Sequence, residues 1–88
     1  MSYVVYIVEC NDGTYYTGYT NNIQKRLEEH NSGNGARYTS GRYPVLLMYS
    51  ETCDSQGAAL RREWEIKKLS RRKKEMLIKK GNKARKSS

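Results

Sequence analysis

Residues 3–20 read YVVYIVECNDGTYYTGYT, and the fold follows from how this stretch is punctuated. Tyr3 to Cys10 is β-branched and aromatic, the composition of a strand. Asn11-Asp12-Gly13 accepts positive φ at little cost and marks a turn. Thr14 to Thr20 then reads as the returning strand. A three-residue loop sets Cys10 opposite Thr14, Val8 opposite Tyr16 and Tyr6 opposite Gly18. Facing residues share a side of the sheet, so Tyr6 and Tyr16 become diagonal neighbours and Gly18 leaves a gap beside Tyr6 for close approach. A two-residue loop shifts the register and puts the two rings on opposite faces.

Outward from the hairpin, Asn21 or Asn22 can cap a helix through Ile23 to His30 or Asn31. Residues 31–43 (NSGNGARYTSGRY) form a Gly/Ser/Asn-rich loop, and Pro44 opens a short third strand, Val45 to Ser50. Asp54 or Ser55 starts the longest helix, reaching about Leu69, and Ser70 caps a shorter one from Arg71 to about Ile78. The order ββαβαα predicts an α+β fold, a small antiparallel sheet with helices packed on it. One domain over residues 1–80 and a basic flexible tail over 81–88 complete the organisation.

Composition narrows the partners. Phenylalanine is absent and eight tyrosines take its place, so rings are expected half in the core with hydroxyls at a wet surface. Cys10 and Cys53 are not spaced as a CxxC pair and cannot complete a zinc site; two reduced thiols are the expectation. No segment approaches the length of a membrane span and no leader-like pattern opens the chain, which points to the cytoplasm. Charge is lopsided: residues 1–60 carry four basic and six acidic side chains, residues 61–88 thirteen basic and three acidic. Such asymmetry suits a polyanion bound through counterion release.

Candidate site residues come from faces. On the first helix Ile23, Arg26, Leu27 and His30 share an arc of about 100°, so Arg26 and His30 border the apolar stripe and aim at the sheet that carries the tyrosines. Glu63 is an anomaly on its helix: Ala59 and Ile66 flank it on one side, Leu60 and Trp64 on the other. A carboxylate between apolar stripes is costly unless paired or metal-bound, and Lys67 on the same arc offers an ion pair. Glu65 points outward. The loop interleaves Arg37, Tyr38 and Arg42, guanidinium groups for phosphates and a ring for bases. Lys67, Lys68, Arg71 and Arg72 extend that candidate nucleic-acid surface.

This ordered set resembles the GIY-YIG nuclease superfamily over about Tyr3 to Ile78, and most of all its small stand-alone bacterial proteins, an uncharacterised family. Val4-Val5-Tyr6 stands at GIY and Tyr16-Thr17-Gly18 at YIG. The helix with Arg26 and His30, the Ala-Leu-Arg-Arg-Glu segment ending at Glu63, and the run Ile66 to Ser70 follow in order. Valines replace the glycine and isoleucine of GIY, and Thr17 replaces the isoleucine of YIG; both tyrosines and Gly18 are kept. A late asparagine found in many members has no equivalent, since Asn82 falls in the expected tail. The resemblance implies a three-stranded antiparallel sheet flanked by helices, and endonuclease activity on nucleic acid, DNA ahead of RNA. It further implies one divalent cation (Mg²⁺ or Mn²⁺) on Glu63, with Tyr6, Tyr16, Arg26 and His30 as catalytic residues, and a protein partner supplying the targeting that other members draw from added domains. The alternative is a non-catalytic nucleic-acid- or ribosome-associated binding protein on the same fold.

Overall fold

The computed structural model describes residues 2–34 and 41–86. Its elements are β1 (Tyr3–Glu9), β2 (Tyr15–Thr20), α1 (Ile23–Asn31), β3 (Leu46–Cys53), α2 (Gln56–Lys67) and α3 (Arg71–Lys86). They form the expected α+β architecture, a three-stranded antiparallel sheet of order β2-β1-β3 flanked by helices. The hairpin takes the register of the three-residue loop: Val8 faces Tyr16 and Tyr6 faces Gly18. Gly13 adopts φ 84°, the Cys10 and Gly13 amides close the turn, and Asp12 accepts from the Thr14 hydroxyl at 2.6 Å.

β1 is central and covered on both sides, which is why it reads as a nearly unbroken apolar run. Val5 and Ile7 pack with Ala59, Ile66 and Ile78 from α2 and α3. Tyr6 and Val8 pack with Cys10 and Val45, against Tyr16 and the α1 residues Ile23 and Leu27. Asn22 caps α1 by accepting from the Lys25 amide, and Ser55 caps α2 by accepting from the Ala58 amide, both at 3.1 Å. Arg62 ties α2 to β3 through an ion pair with Glu51, which also accepts from the Tyr49 hydroxyl at 2.6 Å.

Three boundaries differ from expectation. β3 starts at Leu46 and runs on to Cys53, because Tyr3 and Val4 at the start of β1 pair with Cys53 and Thr52. α2 stops at Lys67. α3, not α2, is the longest helix, continuing past Ile78 to Lys86 through residues expected to form a frayed tail. Gly81 was the misleading signal. It is no helix stop but a packing notch: a Cβ there would lie 2.9 Å from the Tyr49 ring, so the missing side chain lets α3 approach β3.

Thr17, the middle residue of Tyr16-Thr17-Gly18, is buried opposite Ile7 of β1, and its hydroxyl meets no hydrogen-bond partner among the described residues. An unpaired buried hydroxyl carries a desolvation cost with no return. Thr17→Val is therefore expected to raise unfolding free energy by about 1 kcal/mol, read as a higher denaturant midpoint at unchanged slope; an equal or lower midpoint contradicts it.

Candidate active site

Tyr6 sits in the middle of the central strand with no exposed surface, and its hydroxyl is 2.9 Å from His30 Nε2. His30, likewise fully buried, arrives from the last turn of α1. Tyr16 completes an aromatic cluster. Its ring centroid lies 6.5 Å from that of Tyr6 and 5.4 Å from that of His30, the latter edge-on. The gap expected over Gly18 is taken by Tyr6 itself rather than left for a phosphate. A Cβ on Gly18 would stand 2.6 Å from the Tyr6 hydroxyl and 2.8 Å from its ring carbon. Gly18→Ala must accordingly push the phenol off His30. The expected cost is about 1–3 kcal/mol of stability, with loss of the Tyr6–His30 contact in the NMR spectrum; an unshifted His30 ring resonance would contradict this account.

Arg26 reaches the same point from α1, four residues before His30, so both lie on one helical face. Its guanidinium pairs with Glu29 at 3.1 Å, and its charge acts on the Tyr6 phenol. Burial pushes that phenol up to about 12, against which Arg26 acts through a hydrogen bond and its charge. Tyr16 and Glu63 add smaller upward pushes, which brings the Glu63 carboxylate into the field of Tyr6. His30 is held below its ordinary value, first by burial and then by the Arg26 charge, with Glu29 opposing. At neutral pH the pair is a protonated phenol beside an uncharged imidazole. An O–H donated to Nε2 then requires the Nδ1–H tautomer.

Glu63 projects from α2, its side chain 17% exposed, and pairs with Lys67 Nζ at 3.6 Å. Lys67 Nζ in turn stands 6.0 Å from the Tyr16 ring centroid, so Lys67 links the Glu63 carboxylate to the Tyr16 side of the aromatic cluster. The second apolar stripe expected beside Glu63 is not buried. Leu60 and Trp64 face outward, and the Lys68 ammonium covers the Trp64 ring at 3.7 Å. The sheet takes only the Ala59–Ile66 side of α2. Glu65 is on the outer surface, paired with Arg62.

The donor set limits which metal this cleft suits. No group of three or more His, Cys, Asp or Glu side chains converges among the described residues. A single carboxylate cannot cage Ca²⁺ or Zn²⁺, but it fits Mg²⁺, which keeps most of its waters and completes its shell with substrate phosphate.

The remaining candidates are scattered more widely. Arg71 stacks on the Tyr15 ring at 4.4 Å and donates to the Gly13 carbonyl at 2.8 Å, which fixes it beside the hairpin turn. Arg42 is held at that turn by Asp12 at 3.4 Å, away from the Tyr6 group. Arg72 is exposed on α3. Arg37 and Tyr38 lie outside the described residues. Sequence reasoning passed over Lys74, which is half-buried, feels the Lys67 charge, and lines a pocket of about 120 Å³ with Thr14, Tyr15 and Arg71. Its spacing of three from Arg71 was the available signal.

Comparison with known proteins places the chain by family and fold. The GIY-YIG catalytic domain matches residues 2–76. A UPF0213 protein of Halobacterium salinarum is 59% identical over 74 residues, 84% of this chain and 96% of that one. The solution NMR structure of the UPF0213 protein BH0048 from Bacillus halodurans aligns at TM-score 0.59 and 50% identity, covering 92% of this chain and 87% of that chain. That of EF2693 from E. faecalis aligns at TM-score 0.63 and 40% identity, covering 91% and 85%.

Proposed function

Since the chain belongs to the UPF0213 family and carries a GIY-YIG domain over most of its length, we propose that it is a metal-dependent endonuclease hydrolysing phosphodiester bonds in nucleic acid, DNA ahead of RNA. The observation that supports this best is the buried Tyr6–His30 hydrogen bond at 2.9 Å, standing in the fields of the Arg26 guanidinium and the Glu63 carboxylate. A buried Tyr–His pair needs no arginine for packing. An arginine placed on it suits an anion that forms beside the phenol.

Water attacks phosphorus in line as the bond to the 3′ oxygen breaks, leaving 5′-phosphate and 3′-hydroxyl ends. With its phenol pushed up to about 12, Tyr6 is a poor free base at neutral pH. The relay runs instead through the pair: the Tyr6 oxygen takes the proton of water while its own proton passes to His30 Nε2. Arg26 neutralises the charge gathering on the phosphate, and Tyr16 orients the water or a phosphate oxygen. Glu63 would hold the divalent cation, Mg²⁺ or Mn²⁺, which supplies Lewis-acid stabilisation when bound. Tyr6 is covered in the free chain, so a phosphate that draws Arg26 away from Glu29 also opens the phenol to water. Lys67 moves from Glu63 to the phosphate backbone in the same step. Arg42, Lys68, Arg71 and Arg72, together with Arg37 and Tyr38, add sequence-independent affinity.

One observation favours the non-catalytic binder instead: Glu63 already has a partner in Lys67, the ion pair a purely structural glutamate would make. Labelled single-stranded, duplex and branched DNA and RNA, incubated with Mg²⁺, Mn²⁺ or chelator, separate the two readings. Cleavage that requires the metal is the expected result. Cleavage persisting in chelator refutes the metal role, and binding without cleavage on every substrate leaves the binder.

A further inference from the structure

Beside the cleft, at the Thr20 end of β2, lies a second concavity of about 500 Å³, within the size range of small-molecule sites. One wall is aromatic: the Tyr3 and Tyr19 rings, both half-buried, lie 6.4 Å apart at 49°. Gln56, in the first turn of α2, lines the pocket and donates weakly to the Tyr19 hydroxyl at 3.4 Å. The opposite rim comes from the start of α1. There the Asn21 amide and the Lys25 ammonium are exposed, with no side-chain hydrogen bond or ion pair among the described residues. Arg26 borders this pocket and lies one turn from His30 on the same helix, so a ligand seated here is one helical turn away from the Tyr6–His30 pair.

An aromatic ring face, an uncommitted amide and an unpaired cation among the described residues match the three parts of a nucleotide: the face of its base, the hydrogen-bonding edge and the phosphate. We propose that this pocket receives one unpaired nucleobase, from the nucleotide next to the phosphate being cut; this rests on reading the Tyr6–His30–Arg26–Glu63 cleft as the reacting site. A base within a duplex has both faces stacked and its edge paired, so it must leave the helix to enter. The substrate class is therefore a strand unpaired at the cleavage point. Selection among bases is weak, because stacking accepts every ring.

The test is binding in chelator, independent of cleavage. The adenine analogue 2-aminopurine is moved position by position through single-stranded DNA and RNA oligonucleotides, and its fluorescence is read on titration with the full chain. Quenching confined to one position is expected, in whichever sugar series the protein prefers. Tyr19→Ala should abolish that quench and weaken binding about tenfold. Gln56→Ala, at an exposed position where folding is not at stake, should reduce the quench. Emission unchanged at every position, or an equal quench in both variants, overturns the proposal. A position-specific quench by a protein that cuts nothing with Mg²⁺ would keep the pocket and remove the nuclease reading. Metal-dependent cutting with no quench would do the reverse.

Discussion

Glu63→Gln is expected to leave nucleic-acid binding intact while lowering cleavage about a thousandfold or more. The substitution keeps the size of the side chain and one oxygen but removes the acidic charge that Lys67 joins to the Tyr16 ring. No group of three or more His, Cys, Asp or Glu side chains stands among the described residues to hold the cation in its place. Folding should be little affected. The Lys67 partner is half-exposed, and such i,i+4 pairs contribute about 0–1 kcal/mol. Binding should hold or tighten slightly, since a negative charge is lost from a surface that meets phosphates. Single-turnover cleavage and gel-shift binding on the same preparation give both numbers. Retained cleavage in saturating Mg²⁺ would remove Glu63 from the metal site; joint loss of binding and fold would mark it as structural.

Tyr6→Phe should lower turnover by about 10²–10⁴-fold, the range of a positioned proton-transfer group, while reducing stability by only about 1–2 kcal/mol. The ring keeps its packing on Val8 and Tyr16, so no cavity opens. What is lost is the hydroxyl 2.9 Å from His30 Nε2, and with it one buried hydrogen bond. Alkaline titration gives a second readout. A phenol raised from 10.0 to about 12 contributes stability that is complete below pH 10.0 and lost as pH rises towards about 12. Tyr6→Phe should remove part of that loss, while Tyr49, pushed up likewise by burial, retains its share. Unchanged turnover in Tyr6→Phe would exclude the phenol from the reaction.

Legibility differed from element to element. The hairpin could be read because three residues in the turn and a side-chain period of two leave one register once the loop length is chosen. The α1 start could be read because Asn22 is a local cap. Arg26 and His30 were placed on the inner face by helical spacing alone. The α3 end could not be read. A glycine in a basic, apolar-poor stretch carries the same local signal whether it stops a helix or fits against a ring, and Tyr49, thirty-two positions earlier, makes the difference. Trp64 misled for a related reason, since an apolar residue beside a buried stripe looks like a second stripe until the sheet is seen to cover only one side.

Chain order and spacing alone determined the α+β class, the pairing of Tyr6 with Gly18 for a three-residue loop, and the helix that presents Arg26 and His30. Those features rest on periods and caps spanning a few residues. Tertiary structure alone decided that the Tyr6 hydroxyl meets Nε2 of a histidine twenty-four positions away, that its own ring fills the space over Gly18, and that Lys67 of α2 comes to stand 6.0 Å from the Tyr16 ring. It also opened the Tyr19 pocket between the starts of α1 and α2. Each of these depends on where two helices come to rest on the sheet, and that is set by side-chain packing across the whole core rather than by any local pattern.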